Sequence, residues 1–487
     1  MFGQQYQSIS ETRYGRLGSS FFSIRLQSFI AKLAASLVVV FVFEEAIYGR
    51  LSLTATTYLI AKTSTEALLY FFLLLVISHQ LIKGQLFQYR PSFFDFCMVS
   101  FFIVALMATF INHGSLVMGI FNLRTMLRYI AIYYIIVLSD WMPTERQLRT
   151  FVKLLVWLAL IQSFLITLQH FIGDDFREAY FSPPAVEVNV SGISKILGAV
   201  KTKIGAGYGT FGKPALASFF LLFVGVFVSA RAISDLRNKR KWWVIYALIV
   251  VGIFFSYKRA PLLLSMIVPM LVAWFYGYKQ FLKRYIILAL VIAPLALTMI
   301  LMFKPDDYVK EKKVYTSPIE SVAQLFTEDY WAIALSKSRG WMIMEVGRDA
   351  LVSFKPLGYG ADEESAKAML AERGGEFGKL MGWGAFEDVY IVACLVYYGP
   401  VGVVFLLLSY YYLYRRARKL STIKSPWLRL ICVSFSVIVI LILPSVFVER
   451  LPEFRATALL FWTMAGIVVT VSQRYKKYGA DSLRLKG

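Results

Sequence analysis

The chain has 487 residues, 58% of them hydrophobic and 17% charged, with a formal net charge of +22. So little polar surface excludes a soluble globular protein and makes the bilayer the solvent. In a soluble chain this positive balance would suggest nucleic acid, but the cations fall in short loops between apolar runs, where they orient the chain and meet membrane lipids; no nucleic-acid partner is expected.

The polar segment 1–26 leads into a full-length apolar run without a small-residue cleavage site, so the first helix is expected to remain as an anchor. A membrane helix needs about 20 mostly apolar residues. Such runs lie near 28–48, 56–78, 93–112, 117–139, 151–172 and 212–232, and again near 242–257, 260–277, 285–303, 389–413, 428–447 and 456–472. The runs 242–257 and 260–277 are short enough for local bilayer thinning or a re-entrant dip.

Charge tests that map. One set of alternate loops holds Lys83/Arg90, Arg146/Arg149, Arg237/Lys239/Arg240/Lys241, Lys279/Lys283/Arg284 and Arg415/Arg416/Arg418/Lys419. These loops and both tails are expected to be cytoplasmic. The opposite set comprises short gaps near 49–55, 113–116, 258–259 and 448–455, a medium loop 173–211 and a long loop 304–388. The long loop reads as a small folded cap. Within it, Trp341, Met344 and Leu351 recur at near-helical spacing over 341–353; Pro356, Gly358 and Gly360 then break the chain before a polar stretch, 361–379, that suits a second helix. The expected architecture is all-α: one integral-membrane domain, 1–487, of about 12 transmembrane helices, with a large helical periplasmic loop between spans 9 and 10. Cys97, Cys394 and Cys432 all lie in apolar stretches, so no disulfide framework is expected. His79, His113 and His170 have no metal spacing.

Ser256-Tyr257-Lys258-Arg259-Ala260-Pro261 puts two adjacent cations in a short gap on the side where cations are sparse. Arg339 heads the cap helix, and Arg124 and Arg128, four apart and hence on one helix face, lie near the outer end of the fourth span. Such a set suits a diphosphate at the membrane surface, with snorkelling to lipid phosphates as the competing account of each residue. Glu387 and Asp388 stand where the long loop re-enters the membrane as a helix. Capping accounts for Asp388, whereas Glu387, beside bound cations, can accept a proton as a general base. The Gly-rich segment 205–214, with Lys201 and Lys203 before it, lacks P-loop spacing, so close backbone packing or headgroup contact is expected. Glu44, Glu45 and Lys32 lie near the interfaces and read as structural.

Taken in order, these motifs resemble the bacterial O-antigen polymerase and O-antigen ligase superfamily of integral-membrane glycosyltransferases. Arg124 and Arg128 with Tyr129 resemble its Arg-bearing span; Gly209-Thr210-Phe211-Gly212-Lys213-Pro214-Ala215-Leu216-Ala217 is similar to its Gly-x-Phe-x-Asn-Pro-Asn-x-x-Ala segment; Ser256-Tyr257-Lys258-Arg259-Ala260 looks like its Ser-x-Ser-Arg turn. Ser338-Arg339-Gly340-Trp341 and Pro356-Leu357-Gly358-Tyr359-Gly360 resemble the Arg-x-x-x-Trp and Pro-x-x-Gly-x-Gly signatures of its large periplasmic loop, at tighter spacing. Glu387-Asp388-Val389-Tyr390-Ile391 and Gly399-Pro400-Val401-Gly402 look like its His-Asn-x-Tyr-Leu and Gly-x-x-Gly. The chain departs from the pattern at Glu387, where the family has His, and at Lys213 and Ala215, where it has Asn.

The resemblance implies a metal-independent, cofactor-free transferase in the bacterial inner membrane, its active site facing the periplasm. It would transfer glycan from undecaprenyl diphosphate to a sugar hydroxyl with inversion, polymerising repeat units, with the glycan donor, the glycan acceptor and a chain-length regulator protein as partners. Lys258, Arg259, Arg339, Arg124 and Arg128 would hold the diphosphate, Glu387 or Asp388 would act as base, and Lys213, Tyr257 and Tyr390 would touch substrate. A carboxylate is a poor diphosphate ligand, which puts Glu387 on the acceptor side. Ligation to a lipid A core is the alternative within this chemistry. A flippase or transporter is the alternative outside it, opposed by the lack of repeated halves and of a mid-membrane ionisable pair.

Overall fold

The computed structural model describes residues 28–51, 55–84, 91–181, 186–190, 193–197, 205–235, 237–287, 318–323, 339–352, 355–374, 378 and 385–478. In chain order the helices are α1 (28–50), α2 (Ala55–Ile82), α3 (Phe93–Ile111), α4 (Leu116–Met126), α5 (Ile130–Leu138), α6 (Glu145–Ile172), α7 (Asp174–Phe181), α8 (Pro214–Ser234), α9 (Lys239–Phe255), α10 (Arg259–Tyr276), α11 (279–287) and α12 (Pro318–Ala323). Then come α13 (Arg339–Val352), α14 (Glu363–Ala371), α15 (Tyr390–Leu420), α16 (Pro426–Ser445) and α17 (Arg455–Tyr478), with single 3-10 turns at Ala385–Asp388 and Leu451–Glu453.

Eight helices among the described residues, α2, α3, α6, α8, α10, α15, α16 and α17, are long and apolar enough to cross a membrane, and a ninth span is formed if α4 and α5 count as one. The protein is therefore a helical, polytopic membrane protein. Of the other expected spans, 28–48 coincides with α1, which contains Lys32, Glu44 and Glu45, and 242–257 with α9, which has only 17 residues. The span 285–303 lies outside the described residues beyond Ile287, as do both chain ends, Lys201, Lys203 and cap residues 304–317 and 324–338.

Two expectations need correction. The fourth span, expected as one helix over 117–139, is broken: α4 and α5 meet at 74°, across a turn in which Tyr129 is left-handed at φ 65°. The 173–211 loop, expected without strands, contains an antiparallel ladder from Val186–Val190 to Ile193–Leu197, with Val186 opposite Leu197 and Val190 opposite Ile193. Val-Glu-Val-Asn-Val alternates at the two-residue period of a strand, a signal easily passed over between long helices.

Helix α8 lies at the centre, with 17 of its 21 residues buried, as expected of a helix apolar on every face. Helix α2 is peripheral and turns Ile60, Leu68, Phe71, Leu74 and Leu75 outward, which in a bilayer is the lipid-facing side. Helix α3 is started by a reciprocal Ser92–Asp95 capping box and α6 by one between Thr144 and Gln147. The cap segment docks on the ends of α3, α4 and α15, which form the cap end of the bundle.

Candidate functional site

The site grows from a break in α15. Pro400 has no N–H, and Gly399 leaves the helical region at φ 62°, ψ −179°, so carbonyls in the first turns of α15 lose their usual i+4 partners. Segment 356–360 takes them over. Tyr359 N–H donates to Val396 O at 2.7 Å, Gly360 N–H to Tyr397 O at 3.0 Å, and the Val401 N–H donates back to Pro356 O at 3.2 Å. A Cβ on Gly358 would lie 2.5 Å from Gly399 N, and Gly358 itself has φ 76°, so only glycine fits. Two motifs 40 residues apart, Pro356–Gly360 and Gly399–Gly402, are thus halves of one joint.

The joint is fastened further. Thr109 Oγ1 accepts the Ala361 N–H at 2.8 Å, Asn122 Nδ2 donates to Ala361 O at 2.8 Å, and the Ser115 N–H donates to Asp362 Oδ2 at 2.8 Å. This fixes the start of α14 and delivers its Lys367 to Glu387, 2.5 Å from Oε1. Glu387 is half-buried on the turn Ala385–Asp388 and accepts the Tyr397 hydroxyl at 2.8 Å. Burial, followed by the neighbouring Glu363 carboxylate, raises its pKa above the ordinary glutamate range, with Lys367 opposing. Lys367 also pairs with Glu363; burial works against its charge, but the two carboxylates raise its pKa overall. A carboxylate so placed has a restrained geometry and a basicity shifted towards neutral pH. Asp388, by contrast, is exposed, and the N-cap position of α15 falls on Val389, so the expected capping role of Asp388 is not realised.

Lys258 is the N-cap residue of α10, and its Nζ lies 2.8 Å from Glu449 Oε1. Arg259 follows it, partly exposed, as the first residue of α10. Arg124 and Arg128 do not share a helix face, because α4 ends at Met126. They converge nonetheless: Arg124 NH1 and Arg128 Nε approach the two oxygens of the buried Glu66 at 3.2 and 2.9 Å. Arg339 opens α13, and its side chain lies outside the described residues.

Of the three expected substrate contacts, Lys213 is exposed at the N-cap position of α8. Tyr257, left-handed at φ 59°, is buried with its hydroxyl 3.3 Å from His170 Nδ1, and Tyr390 is buried in the core. Tyr257 and Tyr390 thus pack within the protein instead of facing a solvent-exposed surface.

The residues that join these parts are ones that sequence reading treated as a connecting gap. In the 448–455 segment, Glu449 holds Lys258, and Arg450 Nε donates to Glu453 Oε1 at 2.9 Å. Arg128 reaches Glu453 O at 3.4 Å, and Arg455 NH1 donates to Glu44 Oε2 at 2.9 Å. Burial raises the Glu453 carboxyl against the opposing charges of Arg450 and Arg128. For Arg450, burial disfavours the charge, but Glu453 and then Glu387 raise its pKa above the ordinary arginine value. The cap end is therefore a network of cations and carboxylates and not a bare positive patch. A signal was present: Glu449-Arg450-Leu451-Pro452-Glu453-Phe454-Arg455 is as charge-dense as the gap at Lys258-Arg259 and lies on the same side of the map.

The Gly-rich segment 205–212 is a packing element. Gln169 Oε1 accepts the N–H groups of Tyr208 and Gly209 at 2.9 Å, Gln162 Oε1 accepts that of Thr210 at 2.9 Å, and Arg177 donates to Ala206 O at 2.7 Å. Two glutamines on α6 thus satisfy a buried loop that has no ladder of its own. A Cβ at Gly207 would meet Ile166 O at 2.4 Å, which explains the glycine there.

No protein-family model matches the chain, and no curated protein sequence does.

Proposed function

We propose that this protein is a membrane glycosyltransferase that polymerises glycan repeat units carried on a polyprenyl diphosphate, acting at the cap end on the outer face of the bacterial cytoplasmic membrane. The observation that carries the reading is the 448–455 segment, which holds Lys258 through Glu449 and both Arg450 and Arg128 through Glu453, on the same end of the bundle as Glu387 with its partners Lys367 and Tyr397. The order of the motifs and the placement of the cationic loops on the opposite side support it from the sequence.

In this proposal the acceptor hydroxyl attacks the anomeric carbon, the bond to the diphosphate oxygen breaks, and Glu387 takes the hydroxyl proton. Lys258, Arg259 and Arg450 stabilise the charge developing on the leaving diphosphate, with Arg339 added from the cap. Arg124 and Arg128 act through Glu66 as a fixed support and not as direct ligands. The sugar passes through an oxocarbenium-like state, and the segment 355–374 shields it from water.

The buried pair Glu44–Arg455 is one of the buried charge pairs among the described residues that a transporter could use within the membrane. Arg455 is the first residue of α17, so this pair belongs to the cap end, and it does not favour transport.

Full-length protein in liposomes, supplied only with lipid-linked repeat units, tests the reading. A ladder of products that is lost in Glu387→Gln and Arg450→Ala variants of normal folding is expected. Near-normal ladders from both variants would sink the site, a product that appears only when a lipid A core is added would identify a ligase, and movement of the glycan lipid without bond formation would identify a flippase.

A further inference from the structure

At the end of the bundle away from the cap, α1, the α5–α6 turn and α17 enclose a mostly apolar crevice of about 270 Å³, lined by Ala35, Leu154 and Thr463 among others. It is rigidly framed. Asp140, left-handed at φ 47°, ends α5, its N–H bonding Val137 O at 3.1 Å while the Trp141 N–H bonds Ile136 O at 3.0 Å. This is a Schellman arrangement. Arg474 of α17 grips the Asp140 carboxylate at 2.8 Å, which fixes where Trp141 stands. Thr463 lies eleven residues before Arg474 on the same helix, so the crevice reaches about 16 Å into the bundle at 1.5 Å per residue.

Two features call for an occupant. Trp141 is only 3% exposed, yet its indole Nε1 donates to nothing among the described residues. An indole N–H buried without an acceptor is costly, and tryptophan at a membrane boundary ordinarily spends it on a headgroup or ester oxygen. Lys32 and Arg146 line the same crevice, both exposed, and neither makes an ion pair or side-chain hydrogen bond among the described residues. The deeper Thr463 hydroxyl also lacks a partner, but a threonine can turn to a carbonyl of its own helix.

We propose that this crevice is a binding site for an anionic phospholipid, one acyl chain running between α1 and α17, the phosphate on Lys32 and Arg146, and an ester oxygen accepting the Trp141 indole N–H. Charge selects the headgroup and the apolar lining selects the chain. Neither Lys32 nor Arg146 has a part in the proposed transfer site, so the inference stands apart from that reading.

Native mass spectrometry of the full-length protein, titrated with phosphatidylglycerol or phosphatidylcholine, tests it. Wild type should retain phosphatidylglycerol in preference, and Lys32→Gln/Arg146→Gln should lower that retention about tenfold while leaving phosphatidylcholine unchanged. Both replaced side chains are exposed, so folding should survive. Phosphatidylglycerol with brominated acyl chains should quench a fluorescence component that is missing in Trp141→Phe, and Ala35→Trp should abolish that quenching by filling the crevice. Equal retention by wild type and the double variant overturns the proposal. So does displacement of the lipid by millimolar inorganic phosphate, which would mark a site for the free anion, and so does the absence of quenching, which would mean that the chain's own residues fill the space.

Discussion

Lys258 Nζ lies 2.8 Å from Glu449 Oε1, so the cation pair in the gap before α10 is already partly neutralised by the gap before α17. A diphosphate reaching Lys258 must share or displace that carboxylate. Glu449→Gln is therefore expected to lower KM for the lipid-linked donor severalfold with little change in kcat, because it removes a competing anion without touching the bond being broken. Steady-state kinetics in liposomes checks this, and a raised KM would count against diphosphate binding at Lys258.

Glu387 and Asp388 are neighbours with unequal surroundings, the first half-buried on Tyr397 and Lys367 and the second exposed. Glu387→Gln should reduce the rate of polymerisation by about 10²–10⁴-fold, the usual range for losing a general base. Asp388→Asn should stay within about threefold of wild type. Comparable losses at both positions would remove the distinction drawn between them.

The pH profile follows from the direction of the Glu387 shift. Burial and Glu363 raise its pKa, so the base is lost as pH falls through a value above the ordinary glutamate range. Lys367 favours the ionised form, and Lys367→Met should therefore move the acidic limb of the rate profile to still higher pH. A limb that moves down, or stays in place, would show that another group titrates.

Gly358 and Gly399 touch through their backbones, and both have positive φ. Gly358→Ala should cost at least about 2 kcal/mol, combining left-handed strain with a clash against backbone, and should lower the melting temperature in detergent. Gly374→Ala has φ 68° but open space around it and should cost about 1 kcal/mol. Equal melting temperatures would mean that the joint yields easily.

Glu44 and Arg455 are both nearly buried and bonded at 2.9 Å. Either single replacement, Glu44→Gln or Arg455→Met, leaves the other charge unpaired and should destabilise by about 3–5 kcal/mol, whereas the double variant should recover most of that loss. A thermal-stability double-mutant cycle measures it, and additive losses would contradict a direct pairing.

Much of the architecture was legible in the sequence because it depends on local hydropathy. Runs such as 93–112, 212–232 and 428–447 meet a length criterion set by the bilayer and appear as α3, α8 and α16. Breaks within an apolar run are not legible that way. The turn at Tyr129 interrupts 117–139 although the two helices together are still apolar enough for one span, and Arg124 and Arg128, the polar residues at the break, find their partner Glu66 only in the folded chain.

For the candidate site, the sequence by itself determined which residue types stand at span ends: Lys258-Arg259, Glu387-Asp388, and the glycines of 356–360 and 399–402. Only the tertiary structure decided which of them meet. Glu449 meets Lys258 across 191 positions of the chain, Glu66 on α2 meets Arg124 and Arg128 beyond α3, and Gly358 finds Gly399 because Pro400 frees the carbonyls that Tyr359 and Gly360 need. The physical reason is one of range. Hydropathy acts residue by residue against the bilayer, whereas an ion pair or a borrowed hydrogen bond acts over about 3 Å and exists only once the helices have packed.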